Sequence, residues 1–430
     1  MVNIIGAGLA GSEAAWYLAN KGIKVKLYEM RPVKMTPAHV SSGFAELVCS
    51  NSFRSNDPLN AVGLLKEEMQ MIGSLIIESG LINQVPAGSS LAVDRVLFSE
   101  YVTQKIKSHK NIEVIHEEVT KLDEDTFTII AAGPLASDQL SLFIKDIFNQ
   151  ESLNFFDAVA PIIAADSIDL NIAYLKSRYD KGEAAYLNCP MTKEEYEAFY
   201  HELMNADTVI PKDFENNVFE GCMPVEDMGK RGIDTLLYGP LKPVGLRKPN
   251  GERPYAVVQL RQDDLNKTMY NMVGFQTHLK WGEQKRIIQM IPGLQNAEIL
   301  RYGVIHKNTY LESPKHLNNG YQVKSHPKWF FAGQISGVEG YVESAASGLS
   351  AAINLYHYMK HNEIKPLPKD TMIGAMARYI SSYHETFVPM NANFGLVDEV
   401  IAKKFERKQM YHDRAISALK AYLEDLYGNS

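Results

Sequence analysis

The sequence predicts an α/β protein: a Rossmann-like dinucleotide-binding domain with an inserted α+β domain. Three observations predict it. The chain begins with a strand, a glycine turn, a helix and a second strand; a similar glycine turn recurs more than 300 residues later; and the residue pattern changes between about 185 and 300. With 430 residues, the chain is long enough for one large interrupted domain or for two to three domains.

The first element is the stretch VNIIGAGLAGSEAAWYLANKGIKVKLYE. An apolar strand at 2–5 leads through small residues into a helical pattern up to Asn20, and alternation then continues to Glu29. The turn has the spacing GxGxxG, which permits a tight bend, close approach of a pyrophosphate and donation from a helix N-terminus. The turn residues expected to contact the dinucleotide are Gly6, Ala7, Gly8, Leu9, Ala10 and Gly11. Glu29, eighteen positions after the last glycine, would bind a ribose hydroxyl; the alternative is a glycine turn in another kind of βαβ unit.

The second glycine turn favours FAD over NAD. In WFFAGQISGVEGYVESAASGLSAAINLYHYM, a strand at 329–332 is followed by a turn that starts with Gly333 and Gln334 and then by a long helix. TFTIIAAGP at 126–134 adds a strand that ends in Ala-Gly-Pro. Elements spread this widely are typical of an FAD domain, whose cofactor contacts both ends of the chain.

The middle of the chain reads as an insertion. We expect the FAD domain to comprise 1–184 and 301–430, and the inserted domain to comprise 185–300. The insertion holds a helix (TKEEYEAFYHEL) and strands interrupted by proline and glycine (LLYGPLKPVGLRKPNGERPYAVVQLRQ), which favours antiparallel sheet. From 369 onward the pattern is helical and ends with basic residues.

Composition limits the function classes. The chain is 45% hydrophobic and 22% charged with a net charge of −7, which argues against massive non-specific nucleic-acid binding. We find no apolar run of about 18 residues and no signal peptide, so we expect a cytoplasmic protein without a membrane partner. Its three cysteines form no CxxC pair, so we expect no metal site and a structural role for Cys189.

Several motifs together resemble one family. They are AELVCSNSFRS, NAVGLLKEEM, LAVDRVLFS, FEGCMPVEDMGKRG, YGPLKPVGL, VGFQTHLKWGEQKR, IPGLQNAEILRYGVIHKNTYL, AGQISGVEGYVESAASGL and PMNANFGL. The chain resembles the flavin- and folate-dependent tRNA uracil-5-methyltransferases, the TrmFO family, from Gly6 to about Leu396. The resemblance implies methylation of an RNA uridine at C5, with carbon from methylenetetrahydrofolate and electrons from FAD that NADH or NADPH reduces. The default target is a T-loop uridine of tRNA, and a ribosomal RNA uridine is the alternative.

That chemistry requires a nucleophilic cysteine. Uracil C5 becomes nucleophilic when a thiolate attacks C6. Cys222 suits this role because Gly221 permits close approach of a base and Lys230 with Arg231 can supply positive potential; the alternative is a small buried hydrophobic residue. Cys49 matches the second cysteine of the family and would act near the flavin, as a base or as a guard of the flavin adduct, unless it only ends a strand.

The resemblance assigns the folate to two rings. They are His306 in YGVIHKN and Tyr341 in GVEGYVES; the alternatives are a core histidine and an ordinary helix-start tyrosine. Glu339, Asn308 and Arg95 are weaker candidates for contacts with the pterin or the flavin.

RNA contact should come from basic residues. One set, Lys242, Arg247 and Lys248, is expected on loops of the insertion, with Arg253 nearby. The other set is expected on the C-terminal helix and comprises Lys403, Lys404, Arg407 and Lys408. Either set could be only a solvated face. We expect the target base to flip out of its stack. Two rival functions remain open at this point, a small-molecule flavin oxidoreductase and a non-catalytic RNA-binding flavoprotein; the oligomeric state stays undetermined.

Overall fold

The structure is a computed structural model that describes residues 1–149, 153–180, 183–209 and 223–428, without the side chains of 153–157, 306 and 307. Its strands are β1 (Val2–Ile5), β2 (Val25–Tyr28), β3 (Ser52–Ser55), β4 (Gln84–Val85), β5 (Ser90–Val93), β6 (Ile112–Ile115), β7 (Thr128–Ile130), β8 (Leu153–Ala158), β9 (Ile162–Ala164), β10 (Tyr174–Leu175), β11 (Tyr186–Met191), β12 (Ala256–Gln262), β13 (Met269–Met272), β14 (Ile299–Arg301), β15 (Ile305–Tyr310) and β16 (Trp329–Phe331).

The α-helices are α1 (Leu9–Asn20), α2 (Ala61–Ile72), α3 (Leu75–Ile82), α4 (Arg95–Ser108), α5 (Asp138–Phe148), α6 (Lys193–Asn205), α7 (Val225–Gly229), α8 (Thr235–Tyr238), α9 (Trp281–Ile288), α10 (Ser313–His316), α11 (Tyr341–His361), α12 (Met372–Ser381) and α13 (Arg407–Tyr427). Within the described ranges, none of these helices is long and apolar enough to cross a membrane.

A five-stranded parallel sheet forms the centre of the first unit of the fold. Its order is β16-β7-β1-β2-β6, and α1 is the crossover between β1 and β2. Strands β1, β7 and β16 are almost entirely buried, as expected for a covered parallel sheet, whereas β2 alternates and the edge strand β6 is partly exposed. This is the predicted Rossmann-like α/β architecture, and the strands, the glycine turns and the helices of its two ends lie where the sequence predicts them.

Small residues let the helices approach this sheet closely. A Cβ added to Gly11 would overlap the carbonyl oxygen of Gly6, and one added to Gly348 on α11 would overlap the backbone of Ala10 on α1. The third glycine of the motif therefore packs α1 against its own turn, and α11 brings the C-terminal turn beside the N-terminal one.

A six-stranded antiparallel sheet forms the second unit, in the order β10-β11-β12-β13-β9-β14. On β12, Val258 and Leu260 belong to the apolar core that also contains Phe199 of α6 and Ile287 of α9. Because side chains alternate along a strand, the residues between them face the other side. The sheet also takes β9 and β10, which precede residue 185, so the predicted domain boundary stays a prediction.

Two local predictions were wrong. The stretch 236–262 was expected to hold several strands, but it begins with the helix α8 and forms a strand only at β12. Its four prolines lack the N–H that a sheet ladder requires, which explains the long loop between them. Lys403 and Lys404 were expected on the C-terminal helix, yet they lie in a turn before α13, where the Lys403 carbonyl accepts from the Glu406 and Arg407 N–H groups.

Candidate functional site

A cavity of about 500 Å³ lies between the glycine turns and the antiparallel sheet. Gly8 and Gly333 line it from the two turns, Cys49 and Tyr341 line it near the start of α11, and Arg261 lines it from β12. The cavity therefore gathers predicted cofactor residues, one predicted catalytic residue and a residue that the sequence did not single out.

The N-terminal turn leaves room where a pyrophosphate would lie. Gly6 has φ +96°, a conformation that favours glycine, and a side chain there would press on Ala131. A Cβ at Gly8 would instead have no atom within 4 Å among the described residues, and Gly8, Leu9 and Ala10 line the cavity. Helix α1 begins here without a side-chain cap, so its first N–H groups remain available to an anion. This turn fits a dinucleotide.

Glu29 directly follows β2 beside this turn and lines the cavity. Its carboxylate accepts from the Ala7 N–H at 3.0 Å and from the Arg31 Nε–H at 2.9 Å. Burial alone would raise the pKa of Glu29, but hydrogen bonds and the charge of Arg31 outweigh burial and hold it below its usual value. Glu29 is thus an ionised acceptor fixed at the edge of the cavity, and its contact with a ribose stays a prediction.

The C-terminal turn supplies the other predicted cofactor residues. Gly333 has φ +81° and donates its N–H to Ser347 Oγ at 2.6 Å. Gln334 donates its amide to Glu339, and both residues line the cavity. The next residues lead into α11, which begins at Tyr341.

Cys49 and Tyr341 are linked by a hydrogen bond. The Cys49 N–H donates to Tyr341 Oη at 2.7 Å, and the Cys49 thiol lies 4.0 Å from the Ala158 carbonyl. The charges of Arg95 and Arg301 act on both side chains. The thiol and the phenol thus interact with the same two arginines, of which Arg95 is also paired with Asp263.

Arg95 lies behind the cavity. It donates to Asp263 Oδ1 at 2.7 Å and to the Leu47 carbonyl at 3.1 Å, and it is not among the residues that line the cavity. Its direct contact with a cofactor therefore stays a prediction.

Asn308 is fully buried and lines the cavity. Within the described part of the chain, neither its amide nitrogen nor its amide oxygen has a hydrogen-bond partner. Buried amides are normally satisfied, so Asn308 fits a polar ring edge in the cavity, and its contact with pterin or flavin stays a prediction.

Two predicted site residues fall outside this description. Cys222 lies outside the described residues, and the side chain of His306, on β15, is also outside them. The helix after Cys222 is described: Glu226 is buried and accepts from Thr277 Oγ1 and from the His278 N–H. Three acids of this motif could oppose a thiolate. Glu220 lies outside the described residues, whereas Glu226 and Asp227 are engaged with His278, and Lys230 is paired with Asp227.

Cys189 contrasts with Cys49. It lies on β11 in the apolar core, and burial raises the pKa of its thiol to about 12. A thiol so hard to ionise is inert, which agrees with its predicted structural role.

The basic residues lie on the outer surface. Arg247 is exposed and donates to the Gly251 carbonyl, and Lys248 pairs with Glu252. The C-terminal set, Lys403, Lys404, Arg407 and Lys408, is exposed and surrounds Phe405, which is 78% exposed. Lys408 also donates to Asn60.

Arg261 and Asn271 line the cavity and were missed from the sequence. Both lie inside strands, β12 and β13, where neither a glycine turn nor a motif marks them. The one available signal was a polar residue inside an apolar strand, as in AVVQLRQ, since such a residue must be satisfied by a partner or a ligand.

Comparisons with known proteins agree with this geometry. The family model "Glucose inhibited division protein A" matches residues 1–363. Proteins named methylenetetrahydrofolate--tRNA-(uracil-5-)-methyltransferase TrmFO are similar along the chain. The one from Acholeplasma laidlawii is 77% identical over 99% of both chains. The one from Listeria monocytogenes serovar 1/2a is 59% identical over 99% of both, and the one from Bacillus subtilis is 58% identical over 97% and 98%. Among solved structures, Aquifex aeolicus GidA has the same fold, with TM-score 0.72 and 17% identity over 99% of this chain and 75% of that one.

Proposed function

Because the chain belongs to the GidA family and, within it, to the TrmFO methyltransferases, we propose that the cavity is the active site for methylation of tRNA uridine at C5. The protein is a methyltransferase whose one-carbon donor is methylenetetrahydrofolate. The observation that carries the assignment of the site is the meeting of Gly8, Cys49 and Tyr341 in one cavity.

FAD fits the glycine end of the cavity. We assign the pyrophosphate to the turn around Gly8, because that position has open space and uncapped N–H donors. The ribose is assigned to Glu29, and Gly333 and Gln334 are assigned to the rest of the cofactor. When bound, FAD supplies the two electrons that turn a transferred methylene into a methyl group. NADH or NADPH is proposed as the source of those electrons.

Cys222 is proposed as the nucleophile. Its sulfur forms a bond to uracil C6, and the electron pair of the C5=C6 bond moves towards C5 and O4. C5 then bonds the one-carbon unit and its proton passes to a base. The bond between this unit and the folate nitrogen breaks, with its electron pair going to that nitrogen. After two electrons and a proton have been supplied to the methylene, the C6–S bond breaks as the C5=C6 bond re-forms. Cys49 is proposed for the proton transfer, since it lines the cavity and interacts electrostatically with Arg95 and Arg301.

The folate is proposed to lie against Tyr341 and His306, with Glu339 and Asn308 as polar contacts. Tyr341, Glu339 and Asn308 line the cavity, and the buried amide of Asn308 would gain the partner that it lacks among the described residues.

The tRNA is proposed to contact the exposed basic residues. The cluster around Phe405 is the stronger of the two, because exposed cations next to an exposed ring suit both phosphates and bases. Lys242, Arg247 and Lys248 form the second surface, in which Arg247 is exposed, Lys242 and Lys248 are half-buried, and Lys248 is paired with Glu252.

Mass spectrometry of 5-methyluridine, in separated tRNA and ribosomal RNA from cells with and without this protein, tests the function. We expect the modified nucleoside to disappear from tRNA when the protein is absent and to remain unchanged in ribosomal RNA. Loss from ribosomal RNA alone would assign the same chemistry to the other RNA.

A further inference from the structure

One register row of the antiparallel sheet reaches the cavity. Arg261 on β12 pairs directly with Tyr186 on β11 and with Asn271 on β13. Directly paired residues of neighbouring strands share a face of the sheet. Arg261 and Asn271 both line the cavity, which the two glycine turns line as well.

The Arg261 guanidinium is fixed. The residue is 6% exposed, and its Nε–H donates to Asn51 Oδ1 at 2.9 Å. Asn51 is itself oriented, because its amide donates to the carbonyls of Val93 and Gln262. Arg261 also forms a hydrogen bond with the Tyr186 side chain and interacts electrostatically with Asp263. Asp263 is bonded to Arg95, and among the described residues no carboxylate forms a salt bridge with Arg261. A buried positive charge therefore lines the cavity without a salt-bridge partner among the described residues.

Asn271 adds an unused donor. It is 2% exposed, and its Nδ2 has no hydrogen-bond partner among the residues that the structure describes. Asn188 in the same sheet is equally buried, yet its amide donates to three carbonyls and its oxygen accepts from Gln259. A buried amide without a hydrogen-bond partner costs free energy. The difference from Asn188 therefore indicates that a ligand accepts the hydrogen bond of Asn271 Nδ2.

Resting on the proposed function, we propose that Asn271 and Arg261 recognise the target uracil and stabilise its activated form. Asn271 Nδ2 donates to uracil O4. When the thiolate bonds C6, the C5=C6 electron pair is delocalised onto O4, and the negative charge formed there lies in the field of Arg261. That charge is neutralised when C5 bonds the one-carbon unit. The guanidinium stabilises the attacked uracil because the ring gains this charge only during the attack.

Single-turnover methylation and binding of tRNA transcripts that carry uridine or cytidine at the target position test the proposal. We expect Asn271→Ala to slow methylation by about 10² to 10³-fold, as for the loss of one oxyanion donor. The flavin spectrum and the affinity for the folate should stay unchanged. Asn271→Asp should bind the cytidine transcript better than the uridine transcript, because a carboxylate accepts from the cytosine amino group and cannot donate to O4.

Controls separate this role from folding. Asn271→Ser keeps a small polar group and should fold while losing methylation. Asn188→Ser removes an equally buried asparagine that does not line the cavity, and its preference for uridine should equal that of the wild type. Arg261→Lys should retain part of the rate because the charge remains.

Two outcomes overturn the proposal. One is an Asn271→Ala rate within threefold of the wild type. The other is a shifted flavin spectrum or a tenfold weaker folate affinity in that variant, which would assign Asn271 to a different ring. A wild type that prefers the uridine transcript but does not methylate it would refute the proposed function and leave the recognition of uracil standing.

Discussion

The two sides of the cavity offer different chemical groups to a ligand. The glycine side, around Gly8 and Gly333, offers backbone groups and the space left by absent side chains. The polar side, on β12 and β13, offers the buried side chains of Arg261 and Asn271. The first suits a cofactor held by its pyrophosphate, and the second suits a ring recognised by its edge.

This difference teaches that holding a cofactor and choosing a substrate place different demands on the sequence. A close approach of backbone to phosphate requires glycine at fixed spacing, so it leaves a motif. An edge contact requires one polar side chain at one register position, and any strand can supply it. The residues of the glycine side can therefore be recognised from the sequence. Those of the polar side can be recognised only once the pairing of the strands is known.

The largest effect should come from filling the glycine side. Gly8→Val places its side chain in the cavity, so we expect loss of FAD and of all methylation. Gly282→Val is the matched control, because a Cβ there also has no atom within 4 Å but the residue is exposed on α9. Absorbance of the purified proteins measures bound flavin. A yellow, active Gly8→Val protein would refute the assignment of the pyrophosphate.

Substituting the three cysteines one at a time should identify the nucleophile. Cys222→Ala should lower methylation by about 10⁴ to 10⁶-fold while FAD stays bound, since removal of a nucleophile costs this much in other enzymes. RNA containing 5-fluorouridine should trap a covalent complex with the wild type and with Cys189→Ala, because fluorine cannot leave C5 as a proton. If Cys222→Ala traps as much complex as the wild type, the nucleophile lies elsewhere, and Cys49→Ala becomes the next variant to measure.

The fold and the glycine side were predictable from the sequence, and the polar side was not. The family resemblance and the α/β fold are confirmed by the comparisons, because GxGxxG and the strands around it are local signals. Arg261 and Asn271 meet only because β12 pairs with β13 in one register. The turn at Lys403 was missed because a basic stretch does not mark where a helix starts, whereas α13 buries its first residue only at Ala415.

His278 contacts Glu226 and Asp227 on α7, the helix that follows Cys222. The contribution of these contacts to the stability of the fold should depend on pH. Burial would lower the pKa of His278, but its hydrogen bond with Asp227 and the charges of Glu226 and Asp227 raise it overall. The protonated ring therefore stabilises the fold below the pKa of an unfolded histidine, about 6.5, and this contribution is lost as pH rises through the higher folded value.

His278→Gln should accordingly lower the free energy of unfolding by about 3 kcal/mol near pH ~6, as for a broken buried pair, and by less near pH ~9. Urea denaturation at the two pH values measures this, with exposed His201→Gln as the control. An equal loss at both values would show that the charge of His278 plays no part.

The smallest effect is expected on the outer surface. Neutralising Lys403, Lys404, Arg407 and Lys408 should weaken tRNA binding, and each lost phosphate contact should reduce the slope of log affinity against log salt by roughly 0.7 to 0.9. Reduction of the flavin by NADPH should keep its rate. If the slope is unchanged in a filter-binding titration, the RNA contact would instead be assigned to Lys242, Arg247 and Lys248.

The most direct test of the two-sided cavity follows the carbon itself. Purified protein is incubated with a tRNA transcript, NADPH and methylenetetrahydrofolate that carries an isotopic label in its methylene group, and the nucleosides are analysed by mass spectrometry. We expect labelled 5-methyluridine with the wild type and with Gly282→Val, none with Gly8→Val, and labelling slowed by about 10² to 10³-fold with Asn271→Asp. Labelled product from Gly8→Val and Asn271→Asp at the wild-type rate, or no labelled product from the wild type, would contradict this expectation.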